Sequence, residues 1–357
     1  MNIVFCVDSS TAIGTGHLIR CRTLAEELRR RDVNVQFICR DLPGNLIALL
    51  SQSAFPVTVL PRPANLESVT YPENYATWLG VTQDVDAAET IAALANQDLD
   101  WLIVDHYGLD RLWEVQLRPH VKHILVIDDL ANRPHDCDVL LDQNDSIEGE
   151  ARYHGLVPEN CHLLIGCRYA LLRPEYAAYR QTQPPRTGEV QRVFVFFGGT
   201  DPQNMTGQAL AALSVPEFEA LSVDVVVGAN YPYRAELERQ VANRPQTLLY
   251  DPRPHLADLM ARADLAIGAG GTTTWERCCL GLPTIVVSVA KNQVSACQAL
   301  EKKGAIVYLG TAEAVDIAGL QKAIAQLLPK SSYLLISAQS QNQVDGLGAK
   351  RVAEMLG

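Results

Sequence analysis

Residues 2–31 read "NIVFCVDSSTAIGTGHLIRCRTLAEELRRR". The first six form an apolar run without polar alternation, the pattern of a strand covered on both faces. From Leu18 onward the apolar residues recur at helical spacing with charges between them. Between the two lies a loop holding Gly14, Gly16 and His17. Strand, glycine loop and helix together make the first half of a parallel β-α-β unit. The alternation continues with "NVQFIC" as strand, "DAAETIAALANQ" as helix, and "DWLIVD", "HILVID" and "DVLLD" as strands. A parallel sheet with helices on both faces is expected.

"QTQPPRTGE" interrupts the series with two prolines and a glycine and reads as a linker. The pattern then restarts: "RVFVFF", "LSVDVVVG", "DLAIGA" and "PTIVVSV" as strands, with "MTGQALAAL", "HLADLMARA", "TTTWERCCLGL", "QVSACQALEKKG" and "AGLQKAIAQLL" as helices. A chain of 357 residues exceeds one ordinary core. The expectation is α/β: two doubly wound Rossmann-like domains facing across a cleft, at residues 1–180 and 190–335, with 336–357 a helical tail returning to the first.

Composition narrows the function classes. The net charge of −11 gives no broad electrostatic footprint for nucleic acid or an anionic membrane. No run of 18 uncharged apolar residues is present, so no membrane insertion is expected. The start has no signal-peptide pattern, and a cytoplasmic location is expected. The nine cysteines are scattered without a C-x-x-C pair, which points to reduced, buried thiols rather than a zinc site. Oligomeric state is not legible.

Three loops follow strands and carry glycines: "DSSTAIGTGH", "FFGGTDPQN" and "GAGGTTTWE". In a parallel sheet such loops sit at the strands' carboxyl ends, where ligands bind. Glycine there permits positive φ or close approach of a ligand, and free amides at a helix start bind anions. Each loop alone is equally an ordinary tight turn. Together Gly14, Gly16, Gly198, Gly199, Gly270 and Gly271 favour a phosphate ligand, with Asp201 in the second loop at its rim. Neither the Walker A pattern nor G-x-G-x-x-G occurs. His17 stands at a helix start, whose positive end disfavours imidazolium, so a neutral imidazole suited to a general base is expected. A capping or packing histidine is the alternative. Glu276, one turn into its helix, can accept two hydrogen bonds from a ribose diol, or be a solvated or capping glutamate.

The run "YDPRPHLADLMARADLAIGAGGTTTWERCCLGLPTIVVSVAKNQ" at 250–293 resembles the nucleotide-binding half of UDP-sugar enzymes of the GT-B fold, the MurG-like group. With "DSSTAIGTGHLIRCRTLAEEL", "VDHYGLD", "VIDDLANRPHDCDVLLDQN", "LIGCRYALLRPEY" and "FFGGTDPQN", in that order, the chain resembles the PseG/SpsG-like hydrolases of pseudaminic (nonulosonic) acid biosynthesis, a route to flagellin or surface glycans. The resemblance implies release of UDP and free sugar from a UDP-linked 2,4-diacetamido-2,4,6-trideoxyhexose. Water would attack C1 with inversion, and neither metal nor cofactor would take part. It implies His17 as base, with Tyr107 of the Asp105-His106-Tyr107 motif and Asn292, beside Gln293, near the sugar. It further implies Glu276 at the ribose, Gly270, Gly271 and Thr272 at the diphosphate, and Tyr250 and Asp251 in the segment whose backbone reads uracil. Asp8, Asp105 and Asp129 are all candidates for orienting the histidine. Two other functions stay open: a GT-B glycosyltransferase with a UDP-sugar donor, and a non-catalytic UDP-sugar-binding module.

Overall fold

The computed structural model describes residues 1–64, 75–94, 97–253 and 255–357. In it the chain divides into two units. The first comprises Met1–Asn144, Glu148–Leu171 and Gly348–Gly357, and the second Asp145–Ile147 and Leu172–Leu347.

In the first unit, β1 (Asn2–Val7), β2 (Asn34–Arg40), β3 (Val57–Leu60), β4 (Trp101–Asp105), β5 (His123–Ile127), β6 (Val139–Asp142) and β7 (His162–Ile165) form one sheet. Its order is β3-β2-β1-β4-β5-β6-β7 and every pairing is parallel. Alternate residues of β1 serve opposite faces. Ile3, Phe5 and Val7 pack with Leu18, Leu24 and Leu28 of the helix Gly16–Arg29, and with Val352 and Leu356 of the helix Gly348–Leu356. Val4 and Cys6 pack with Ala87, Trp113 and Leu117 from the helices Gln83–Leu94 and Arg111–Leu117. Both faces are covered, which is why the central strands read as unbroken apolar runs. The C-terminal helix is tied down by Trp101, whose indole N–H donates to the Leu356 carbonyl at 3.1 Å.

In the second unit, β8 (Arg192–Phe196), β9 (Ser222–Val226), β10 (Thr247–Tyr250), β11 (Leu265–Ala269), β12 (Thr284–Ser288) and β13 (Val307–Thr311) form a second parallel sheet. Its order is β10-β9-β8-β11-β12-β13. Val193, Val195, Val223, Val225, Ile267 and Ile285 meet Leu210, Leu213, Leu320 and Ile324 in its core. The helix Pro174–Thr182 belongs here, ahead of the expected break near 180–190. It packs on the helices Ala257–Arg262 and Thr273–Cys279. Its Arg180 donates to the carbonyls of Cys279 at 3.0 Å and Gln341 at 2.8 Å.

The α/β class read from the sequence is borne out: two parallel-sheet Rossmann-like units. Strand order reverses between β1 and β4 in the first sheet and between β8 and β11 in the second. Loops leaving the carboxyl ends of strands at such a reversal frame a crevice, the usual ligand position in open α/β sheets.

Candidate active site

The loop after β1 and the residues after β4 flank the first reversal. Gly14, at φ +82°, turns the loop back so that its amide meets the Ser10 carbonyl at 2.9 Å. A Cβ at Gly14 or Gly16 would meet nothing within 4 Å. The helix that follows starts without a side-chain cap. His17 is its second residue and is buried, 7 % exposed.

Asp105, the last residue of β4, orients that histidine. Its Oδ1 lies 2.6 Å from His17 Nδ1. Arg20, three residues along the same helix face, forks onto the same carboxyl, Nε to Oδ2 at 2.6 Å and Nη2 to Oδ1 at 2.7 Å. Burial alone would raise the Asp105 carboxyl, but Arg20 and then His17 hold it well below the usual carboxylate range. A carboxylate only accepts, so in the neutral ring the proton sits on Nδ1 and Nε2 is left as the acceptor. That is the state a general base requires. Of the three carboxylates weighed from the sequence, Asp105 alone touches the ring. Asp129 accepts from Arg20 Nη1 at 3.3 Å, from the Tyr107 hydroxyl and from Asn144 Nδ2 at 3.2 Å. Asp8 accepts from the Arg40 amide at 2.7 Å, and burial pushes its carboxyl up to about 7.

Tyr107 and His17 meet edge to face, with ring centroids 4.5 Å apart. Trp78 stacks on Tyr107 at 5.4 Å, and Tyr75 meets both at 4.9 Å. With Ile13, Leu42 and Leu130 these rings make an apolar wall around the base. His106 points elsewhere. Its Nδ1 accepts from the Gly108 amide at 3.0 Å and its Nε2 lies 3.7 Å from Asp8 Oδ2, in a small cavity also lined by Cys6, Asp86 and Thr90. Burial, with His17 nearby, lowers its pKa to about 3. His106 is therefore buried and neutral beside Asp8 without a hydrogen bond to it, whereas the motif's neighbours Asp105 and Tyr107 surround His17.

The second reversal carries the other two glycine loops. Gly198 has φ +96°, and a Cβ at Gly198 or Gly199 would meet nothing within 4 Å. Gly270 has a different reason to be glycine: a Cβ there would lie 2.4 Å from Cys297 Sγ. Gln293 packs over this loop. It lies 3.6 Å from a Cβ placed at Gly271, and its Oε1 accepts from the Val289 amide at 2.9 Å. Asn292 shares the short turn Lys291–Gln293. Thr272 directly precedes the helix Thr273–Cys279, and Glu276 lies on that helix.

Glu276 is partly buried, and among the described residues its Oε2 has no hydrogen-bond partner. Burial pushes its carboxyl up to about 7 against a hydrogen bond from Tyr176. Tyr176, on the helix Pro174–Thr182, thus holds the carboxylate expected at the ribose.

Asp201 is used otherwise. Its two oxygens accept from the amides of Met205 at 2.9 Å and Thr206 at 2.8 Å, so the carboxylate caps the helix Met205–Leu213. Tyr250 ends the edge strand β10, and its hydroxyl contacts Asp224 Oδ1 at 3.2 Å and Arg262 Nη2 at 2.6 Å. Asp251 pairs with Arg234 at 2.7 Å. The side chains of Tyr250 and Asp251 are thus engaged within the unit, and what this segment has to offer a ligand is backbone.

Sequence reasoning missed Arg20, Trp78, Tyr75 and Tyr176. Only Arg20 had a local signal, the three-residue spacing from His17 that puts both on one helix face.

Comparison with known proteins adds independent findings. Residues 193–355 match the Glycosyltransferase family 28 C-terminal domain. The chain is 25% identical over 362 aligned residues to the spore coat polysaccharide biosynthesis protein SpsG of Bacillus subtilis, covering 100% of this chain and 98% of that one. It is 29% identical to the UDP-2,4-diacetamido-2,4,6-trideoxy-beta-L-altropyranose hydrolase of Campylobacter jejuni, covering 85% of this chain and 97% of the relative. The crystal structure of Acinetobacter baumannii MurG superposes with a TM-score of 0.66 at 12% identity, over 99% of each chain, a likeness of fold. No helix among the described residues is long and apolar enough to cross a membrane. The chain is a homologue of SpsG and of the Campylobacter altropyranose hydrolase, built on the GT-B fold.

Proposed function

We propose that the protein hydrolyses a UDP-linked 2,4-diacetamido-2,4,6-trideoxyhexose to UDP and free sugar. The observation that carries this is the Arg20–Asp105–His17 chain, which leaves Nε2 of a buried histidine free to take a proton from water. The water oxygen bonds to C1 as the C1–O bond to the β-phosphate breaks. The proton passes to His17 Nε2, the bonding pair leaves with UDP, and one displacement inverts C1. A base so placed contributes about 10²–10⁴-fold. Tyr107 and Asn292 orient water and sugar, while the apolar wall of Trp78, Tyr75 and Ile13 suits a deoxy sugar's methyl and acetyl groups. In the second unit, the Gly198–Gly199 and Gly270–Thr272 loops take the diphosphate, Glu276 the ribose, and the backbone at Tyr250–Asp251 the base. Amides that meet the developing charge supply positive potential there.

Incubation of purified protein with UDP-2,4-diacetamido-2,4,6-trideoxy-β-L-altropyranose, with no acceptor alcohol, tests the reading. Stoichiometric UDP and free sugar are expected, with turnover unchanged in excess EDTA. Turnover that appears only on adding an acceptor would favour the glycosyltransferase. Binding without turnover under either condition would leave a binding module.

A further inference from the structure

At the second strand reversal lies a buried cation that makes no salt bridge among the described residues, the neighbouring Glu276 acting on it only through space. Arg277, on the helix Thr273–Cys279, is 0% exposed. Its Nη2 donates to the Ala269 carbonyl at 2.6 Å and to Thr274 Oγ1 at 2.9 Å. Among the described residues its Nε and Nη1 have no hydrogen-bond partner. Burial lowers its pKa to about 10, which still leaves it charged at neutral pH.

The fold makes room for this charge. A Cβ on Gly268, inside β11, would lie 2.2 Å from Arg277 Nη1 and 2.5 Å from the Phe196 carbonyl on β8. Any larger residue there would displace the guanidinium. Glycine inside a strand costs about 0.5–1 kcal/mol, and a buried unpaired charge costs several kcal/mol more. Ala269, the acceptor of Nη2, ends β11 immediately before Gly270. The guanidinium therefore sits between the ends of β8 and β11, beneath the Gly198–Gly199 and Gly270–Thr272 loops.

We propose that Arg277 is the charge that holds the diphosphate of UDP, acting through the glycine loops from below rather than by contact. This rests on the nucleotide assignment above. An anion bound over the loops supplies a counter-charge beyond that of Glu276, which acts on the guanidinium without an ion pair. In a low-dielectric setting a fixed cation contributes to both binding and departure of a diphosphate.

Calorimetry with UDP and with uridine, on wild type, Arg277→Met, Arg277→Gln and Arg277→Lys, tests it, with thermal melts to identify folded variants. Two neutral replacements guard against one failing to fold. For a folded neutral variant, UDP affinity should fall on the order of 10- to 100-fold while uridine affinity stays within about 2-fold. Arg277→Lys should retain most of the UDP affinity. Unchanged UDP affinity in a neutral variant, or parallel loss of UDP and uridine, overturns the proposal and leaves the nucleotide site standing. Parallel loss in Arg277→Lys and the neutral variants overturns it equally. Failure of wild type to bind UDP overturns the nucleotide assignment itself and this proposal with it.

Discussion

Asparagine at position 105 keeps the side chain's shape but offers one oxygen where two are in use. Three nitrogen donors converge there: His17 Nδ1 and Arg20 Nη2 on Oδ1, and Arg20 Nε on Oδ2, all within 2.7 Å. The orientation that keeps the most bonds puts the amide oxygen at the Oδ1 position, where it accepts from His17 Nδ1 and Arg20 Nη2, and turns the NH₂ against Arg20 Nε. Nδ1 still donates and Nε2 keeps its lone pair, but the imidazolium formed on proton transfer no longer faces a carboxylate. The expected fall in kcat is on the order of 10²-fold. Because a donor of Arg20 is stranded in a buried site, stability should fall by about 3–5 kcal/mol, so rates are compared below the variant's Tm. Steady-state kinetics with the UDP-sugar should show the loss in kcat, with calorimetric UDP affinity unchanged. The double variant with His17→Gln is the sharper assay. If Asp105 acts only through His17, Asp105→Asn should cost less than about 3-fold once the histidine is gone. A folded Asp105→Asn enzyme within about 10-fold of wild-type kcat, or additive losses in the double variant, would refute the support of His17 by the Asp105 charge.

Glu276→Ala should weaken UDP binding by about 10-fold or more, yet leave 2′,3′-dideoxy-UDP unaffected, since only a diol contact is lost; equal losses would make Glu276 structural. Asp8→Asn tests the buried Asp8 carboxyl. The Asp8 carboxyl is raised by burial from 3.8 to about 7, so the folded state holds a proton there that the unfolded state releases. That contribution is complete below pH 3.8 and lost as pH rises through about 7, a span on the order of 4 kcal/mol. Relative to wild type, Asp8→Asn should therefore gain stability between pH 4 and pH 8 in denaturant titrations; a constant difference would contradict the shift.

The strands and helices that carry chemistry were legible because their faces are buried. The strands without an apolar signature are β3, β7, β10 and β13, and these are the four sheet edges. Each is half-covered, with Val59 50% and Leu248 53% exposed, so none shows an unbroken apolar run. The glycine loops and His17 were legible from their place between strand and helix. The orienting carboxylate was not, because Asp8, Asp105 and Asp129 all end or follow apolar runs and only the folded register brings one to the ring. Asp201 looked like a ligand residue for a local reason: an acid after two glycines has the same pattern whether it meets a phosphate or caps the next helix. Tyr176 closes the "LIGCRYALLRPEY" run, and its link to Glu276 spans a hundred residues, beyond any local pattern.

The central claim is that water, activated by His17, attacks the anomeric carbon. Turnover of UDP-2,4-diacetamido-2,4,6-trideoxy-β-L-altropyranose in ¹⁸O-labelled water tests it most directly, with mass spectrometry of both products and early NMR of the sugar. The label should appear in the free sugar and not in UDP, and the first-formed anomer should be inverted. Label in the phosphate, or UMP with sugar 1-phosphate as products, would contradict the account.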